Sequence, residues 1–166
     1  MWMPIRLAHT ISFPLMHSGP LSTLVISDLP RHSIIRFRLP TTRSADSEKS
    51  TSILNPSPAL APYGDKVQQG DGKTPEGMFT ITRRNPNSKY HLSLGIDYPQ
   101  ADDIARARAT GVDPGGDIFI HGQPNGFGKL ATIPTDWTAG CIAVSDAEIE
   151  ELWRVVQTGT TVEIRR

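Results

Sequence analysis

The amino-acid sequence predicts a mainly β fold with short helices. Glycine and proline number 14 each in a chain of 166 residues, which is more than a helical bundle tolerates and is typical of short strands joined by many turns. Several segments alternate apolar and polar residues at the two-residue period of a strand, whereas only two segments have the signals of a helix. These observations disfavour an all-α architecture.

The N-terminal part of the chain predicts a hairpin followed by an irregular connector. Residues 22–39 contain two apolar runs with a turn-forming stretch between them, which is the pattern of a β-hairpin. Residues 40–62 are rich in Ser, Thr, Pro and Ala and hold too few large apolar side chains to offset their ordering entropy. We therefore expect residues 1–62 to form this hairpin and connector, with residues 1–19 as a candidate leader. Residues 63–166 should form the main domain, packed with the hairpin as one globular unit.

A second hairpin and a helix are predicted next. Residues 77–82 and 90–94 alternate at the strand period, and residues 84–88 between them have the composition of a turn. Residues 99–110 begin with acidic side chains, continue with alanines and arginines, and are followed by Gly111. That order of charges and that terminator indicate a short surface helix.

Two apolar runs further along the chain each adjoin a reactive side chain. Residues 118–120 predict a strand that ends at His121, and Cys141 stands directly before the apolar run 142–144. The segment between them is rich in Gly and Pro, so it can fold back and bring the two strand ends together.

The C-terminal part predicts a helix and a last strand. Ser145 to Glu148 form a capping box, which begins a helix. Ile149, Leu152 and Trp153 follow at helical spacing, so we expect them in the core. Residues 161–164 then supply a strand.

Composition and motifs exclude several classes of function. Lys and Arg number 17 against 17 Asp and Glu, which removes the electrostatic case for a nucleic-acid partner, and no apolar run approaches the roughly eighteen residues of a membrane span. Gly72 to Thr74 resemble the end of a phosphate-binding loop, but Val67 replaces its leading glycine and Pro75 blocks its helix. The histidines lack the close helical spacing of a zinc site, and the Gly-x-Ser-x-Gly elbow of serine hydrolases is missing from the sequence. We therefore expect no metal and no cofactor.

Cys141 and His121 are the candidates for chemistry that these exclusions leave. Cys141 is the single cysteine, so it forms no internal disulfide, and a thiol becomes a useful nucleophile when a nearby imidazole favours the thiolate. Gly140 would let the backbone approach a bound carbonyl, with main-chain N–H groups as an oxyanion site. The alternative interpretation is a small buried cysteine and a surface histidine without a catalytic role.

Several segments resemble the L,D-transpeptidase catalytic-domain (YkuD-like) family. The central feature is His121-Gly122, a loop, and then Thr138-Ala139-Gly140-Cys141. The segments that carry the resemblance are Gly70–Gly77, Arg84–Tyr90, Pro114–Gly122 and Asp136–Val144. Together they span about residues 64–166, in the family's order.

The resemblance implies a β-sandwich-like fold and an enzyme of bacterial peptidoglycan, in the periplasm or cell envelope. Members cleave the L,D peptide bond after meso-diaminopimelate in a stem tetrapeptide, release D-alanine and pass the acyl group to an amine. Cys141 resembles the nucleophile, His121 its base, and Gly122 the residue whose carbonyl orients the imidazole. The residues expected at the substrate site are Tyr90, Trp137, Thr138 and Gly140.

This chain departs from the family pattern at two positions. Many members have His two residues before the cysteine and Arg two residues after it, whereas this chain has Ala139 and Ala143. The departures keep two alternatives open beside transfer to an amine. One is a cysteine amidase or hydrolase that releases a peptidoglycan-linked group, and the other is an inactive module that binds the cell wall.

Overall fold

The structure is a computed structural model that describes residues 11–12, 21–26, 34–40, 64–133 and 137–165. Most of the candidate leader and nearly all of the connector lie outside the described residues. The elements are β1 (Ile11–Ser12), β2 (Leu21–Ile26), β3 (Ile34–Pro40), β4 (Gly77–Ser88), β5 (His91–Ile96), α1 (Ala101–Thr110), β6 (Phe119–His121), β7 (Ile142–Ala143), α2 (Asp146–Val155) and β8 (Thr161–Arg165).

The described strands follow one another in the order β1-β2-β3-β8-β4-β5-β6-β7. Strand β4 belongs to both halves of this order, because its first residues pair with β8 and its later residues pair with β5. The register shifts between Ile81 and Arg83, where the strand passes from one half to the other. Apolar side chains from both halves meet in one core. The prediction of a mainly β fold with short helices is thereby confirmed.

Both predicted hairpins are present, but the turn of the second was predicted wrongly. Strands β2 and β3 pair antiparallel, as expected for residues 22–39. Strand β4 continues through residues 84–88, and the turn lies at Lys89 and Tyr90 instead. Pro86 is tolerated inside this strand because it falls within the register shift between Asn85 and Ser88, where no ladder N–H is required of it.

One end of each helix is fixed by the signal that the sequence contains. Helix α1 ends at Gly111, whose left-handed φ of 71° suits glycine. At the start of α2, the Ser145 side chain accepts from the Glu148 N–H while the Glu148 carboxylate accepts from the Ser145 N–H. Each helix has ten residues, and within the described part of the chain no helix is long and apolar enough to span a membrane.

The expectation for the buried face of α2 holds for two of its three residues. Ile149 and Leu152 are fully buried, but Trp153 is only partly buried at the edge of the core. The guanidinium of Arg84 lies 4.2 Å from the centre of the Trp153 ring, and Arg84 also donates to the Trp153 carbonyl. A cation covers this ring, where the helical spacing alone predicted core packing.

Candidate active site

The pairing of β6 and β7 sets the relative positions of His121, the last residue of β6, and Cys141, the residue directly before β7. The two strands are parallel, with Ile120 opposite Ile142 and His121 opposite Ala143. Ile120 and Ile142 are buried in the core. Because side chains alternate between the faces of a strand, His121 and the residue that precedes Ile142 project from the other face. The sequence prediction that the loop brings the two strand ends together agrees with this register.

The imidazole of His121 is held in one tautomer. Its Nδ1 lies 2.8 Å from the carbonyl oxygen of Gly122, and because a carbonyl only accepts, Nδ1 carries the proton and Nε2 is the acceptor. Burial lowers the pKa of His121, and the hydrogen bond to Gly122 offsets part of that effect. The side chain is 3% exposed. It is therefore a neutral base near pH 7.

Gly122 is required by the space around it. A Cβ at this position would lie 2.7 Å from Asp146 Oδ1 and 3.0 Å from Ile149 Cγ2. Any larger residue would displace the start of α2 or the strand that ends at His121. The glycine thus keeps its own carbonyl within reach of the imidazole.

The thiol of Cys141 lies on a loop that is fixed from two sides. The Thr138 hydroxyl donates to the Cys141 carbonyl over 2.5 Å. Gly140 has a φ of 123°, and a Cβ there would lie 2.6 Å from the carbonyl oxygen of Lys73. The Cys141 Sγ itself donates to the carbonyl of Asp117 at 3.4 Å, a hydrogen bond that favours the neutral thiol.

Two aromatic side chains surround the imidazole of His121. Tyr90 stacks on it, with ring centres 4.6 Å apart, and Trp137 approaches edge-on with ring centres 5.5 Å apart. Tyr90 and Trp137 are also 5.5 Å apart. The structure therefore brings both proposed substrate-site aromatics beside the candidate base, where they form an apolar wall around it.

The loop 64–76 packs behind the cysteine and contains a buried ion pair. Lys66 Nζ lies 2.8 Å from Asp71 Oδ1, and their side chains are only 3% and 8% exposed. Burial alone would raise the pKa of Asp71, but Lys66 and three backbone N–H groups hold it down at about 2. The N–H donors are those of Val67, Gln68 and Lys73. The pair thereby fixes the segment whose Lys73 carbonyl contacts Gly140.

Sequence reasoning missed Gln123, a fully buried amide beside the site. Its Nε2 donates to the Val144 carbonyl over 2.7 Å, and its Oε1 accepts from the Ile133 N–H over 2.9 Å. These bonds tie the loop after His121 to the chain after Cys141. The sequence holds no motif for such a residue, because its partners become neighbours only when the loop closes.

Asn125 was also missed, and it positions Tyr90. Its side chain accepts from the His91 N–H and donates to the Ser88 carbonyl. Both partners adjoin the turn that carries Tyr90. An Asn in a Gly-rich and Pro-rich loop is a recognisable turn signal, but its distant partners are not readable from spacing.

Across residues 64–133, 137–165 and the shorter described strands, no group of three or more His, Cys, Asp or Glu side chains is arranged to hold a metal ion.

A mainly β domain with His121 at the end of one strand and Cys141 directly before its neighbour agrees with the resemblance of the sequence to the L,D-transpeptidase catalytic domain. The model of that family matches residues 40–164 of this chain. The chain belongs to the L,D-transpeptidase catalytic-domain family.

Individual relatives extend this comparison. Two proteins named "Putative L,D-transpeptidase YafK", from Escherichia coli K12 and O157:H7, are 34% identical over 101 residues, which is 60% of this chain and 34% of each relative. The crystal structure of the helical cell shape determining protein Pgp2 from Campylobacter jejuni superposes with a TM-score of 0.51 at 26% identity, over 80% of this chain and 43% of Pgp2. The chain thus spans about a third of the length of the curated relatives and less than half of Pgp2.

Proposed function

We propose that this chain is a cysteine-dependent L,D-transpeptidase of bacterial peptidoglycan, working in the cell envelope. It would cleave the L,D bond after meso-diaminopimelate in a stem tetrapeptide and transfer the acyl group to an amine. The observation that carries the proposal is the neutral, buried His121, oriented by the Gly122 carbonyl in the strand that pairs with the one directly after Cys141. Family membership supports the reaction class.

In the first half of the proposed reaction, His121 acts as the base. Its Nε2 takes the proton of the Cys141 thiol, which leaves the hydrogen bond to Asp117 as the substrate enters. The thiolate attacks the carbonyl carbon of the L,D bond, and the protonated imidazole then gives its proton to the departing amine of D-alanine. The product of this half is a thioester at Cys141.

In the second half, an amine attacks the thioester and His121 takes its proton. The new amide forms, the sulfur leaves, and the proton returns to Cys141. Main-chain N–H groups near Gly140 and Cys141 would stabilise the negative oxygen in both halves. Tyr90, Trp137 and Thr138 would line the substrate site, with the two aromatics beside the reacting imidazole.

Hydrolysis is the second candidate, and the two alanines beside the reacting residues favour it. Ala143 lies directly opposite His121 in the strand register, and Ala139 is exposed next to the cysteine loop. Small side chains at these positions leave room for water near the base. In that reaction the group linked to peptidoglycan leaves as the amine when the thioester forms, and water then releases the peptide from Cys141 as a free acid without transfer. An inactive wall-binding module would form no thioester.

Mass spectrometry of products from a purified disaccharide-tetrapeptide, with and without an added amine, separates these functions. A new amide indicates transfer, a tripeptide indicates hydrolysis, and unchanged substrate indicates a binding module. Cys141→Ala and His121→Ala should each abolish turnover, and the double variant should be little worse than either single because residues that act as a unit are not additive. Thermal unfolding of each variant controls for folding. Normal turnover by Cys141→Ala would refute the proposed mechanism.

A further inference from the structure

Arg83 lies on the same face of the sheet as Cys141, in the same cross-strand row. Arg83 of β4 is opposite Gly95 of β5, and Gly95 is opposite Phe119 of β6. Extending the parallel register of β6 and β7 by one residue puts Cys141 beside Phe119. Residues in register on neighbouring strands share a face, so the guanidinium and the thiol flank the same phenylalanine.

The position of the guanidinium is built into the sheet. The Cζ of Arg83 lies 4.7 Å from the centre of the Phe119 ring. A Cβ at Gly95 would lie 2.8 Å from that ring and 3.2 Å from Arg83 Nε. The glycine opposite Arg83 therefore makes room for this contact, and the contact holds the cation over the Phe119 ring.

The guanidinium has an exchangeable anionic partner next to the thiol. Arg83 Nη2 lies 2.9 Å from Asp117 Oδ1, and the two side chains are 52% and 79% exposed. The carbonyl of the same Asp117 accepts the hydrogen bond from the Cys141 thiol. An ion pair this exposed is worth little, so an incoming carboxylate can replace Asp117 on the planar donor fork of Arg83.

We propose that Arg83 determines specificity by binding a carboxylate of the substrate beside Cys141. The inference rests on the proposed function for the identity of that substrate. In a stem tetrapeptide two carboxylates flank the scissile bond: one ends the side chain of meso-diaminopimelate and the other ends D-alanine. Ala143, opposite His121, supplies no charge, whereas Arg83 offers a fork that matches a carboxylate.

The first test needs no turnover, because it compares two alkylating agents of Cys141. Iodoacetate carries a carboxylate and iodoacetamide does not. Arg83→Ala should lower the iodoacetate rate about fivefold, the size of one exposed charge contact, with the iodoacetamide rate unchanged. Asp117→Asn should raise the iodoacetate rate, because it removes the anion that occupies Arg83. Asparagine tolerates the φ of 53° at this position, so the loop should keep its conformation. Arg108→Ala, an exposed arginine on α1, is the matched control and should change neither rate. An unchanged ratio of the two rates in Arg83→Ala would overturn the inference.

The second test uses substrate and identifies the carboxylate. For the wild-type protein, kcat/KM should be about tenfold higher for the free tetrapeptide than for a peptide amidated at the carboxylate that Arg83 binds. A factor of about ten corresponds to the loss of one hydrogen bond to a charged group. One peptide is amidated on diaminopimelate and the other on D-alanine. Arg83→Ala should remove this preference, and Arg83→Lys should restore part of it. If Arg83→Ala lowered kcat/KM by the same factor for all three peptides, Arg83 would not determine specificity for a carboxylate. Turnover of none of them by wild type would refute the proposed function, while the alkylation ratio would still decide whether Arg83 binds carboxylates.

Discussion

Replacing Asp71 with asparagine removes the charge that neutralises a buried ammonium. The carboxylate uses both oxygens: Oδ1 accepts from Lys66 and the Lys73 N–H, and Oδ2 accepts from the Val67 and Gln68 N–H groups. Asparagine offers one acceptor oxygen and no charge, so Lys66 would stay buried without its counter-ion. Breaking a buried pair in this way costs about 3–5 kcal/mol of unfolding free energy.

The pH dependence of this effect follows from the pKa of Asp71. Folding lowers that pKa from 3.8 to about 2, and each tenfold change in proton affinity is worth about 1.4 kcal/mol. The ionised carboxylate therefore contributes about 2 kcal/mol. Because the folded pKa is depressed, this contribution is present above pH 3.8 and is lost as the pH falls towards 2.

Urea unfolding of wild type and Asp71→Asn between pH 7 and pH 2 measures both effects. The variant should be less stable by about 3–5 kcal/mol at pH 7, and the gap should narrow between pH 3.8 and about 2. Asp102→Asn, an exposed carboxylate in the first turn of α1, is the matched control and should cost at most about 1 kcal/mol. An unfolding midpoint of Asp71→Asn equal to that of wild type at pH 7 would show that the pair does not stabilise the loop.

Two further predictions concern the site itself. Because burial lowers the pKa of His121 below its usual 6.5, β-lactam acylation of Cys141 should stay fast into mild acid, whereas in His121→Ala the rate should rise about tenfold per pH unit up to about 8.5; identical profiles would show that His121 does not tune the thiol. Gly140→Ala should slow acylation and lower the free energy of unfolding by about 1–3 kcal/mol or more, because Gly140 has a positive φ and a Cβ there would press on the Lys73 carbonyl. Thermal unfolding measures that cost. Gly126→Ala, which is strained but has open space, isolates the φ contribution, and wild-type acylation by Gly140→Ala would contradict the packing argument.

Local patterns in the sequence were sufficient for most elements. Alternation located the strands, and the capping box at Ser145 and the terminator Gly111 fixed one end of each helix. These signals work because they act between residues close together in the chain. At Pro86 the local turn signal was overridden, because the register shift between β4 and β5 lets the strand continue through a proline.

The surroundings of the candidate site depended on contacts that no local pattern encodes. Gln123, Asn125 and Arg83 each act through partners far away in the sequence. Gly95 gave no signal of its own, since its role is to leave space for the Arg83 side chain and the Phe119 ring. Such residues can be found only once the strand register is known.

The place of β8 between β3 and β4 has a consequence for how the molecule folds. Ile34 of β3 pairs with Arg165 of β8, so that ladder closes a very long loop, whereas β4 to β7 and α2 assemble from segments that follow one another closely. Long-range pairing of this kind is slow. While the chain is being synthesised, the facing edges of β3 and β4 stay unpaired until β8 has emerged, and unpaired edges of this kind are open to wrong pairing. The part that carries His121 and Cys141 is completed by earlier residues, so its local assembly does not wait for that step.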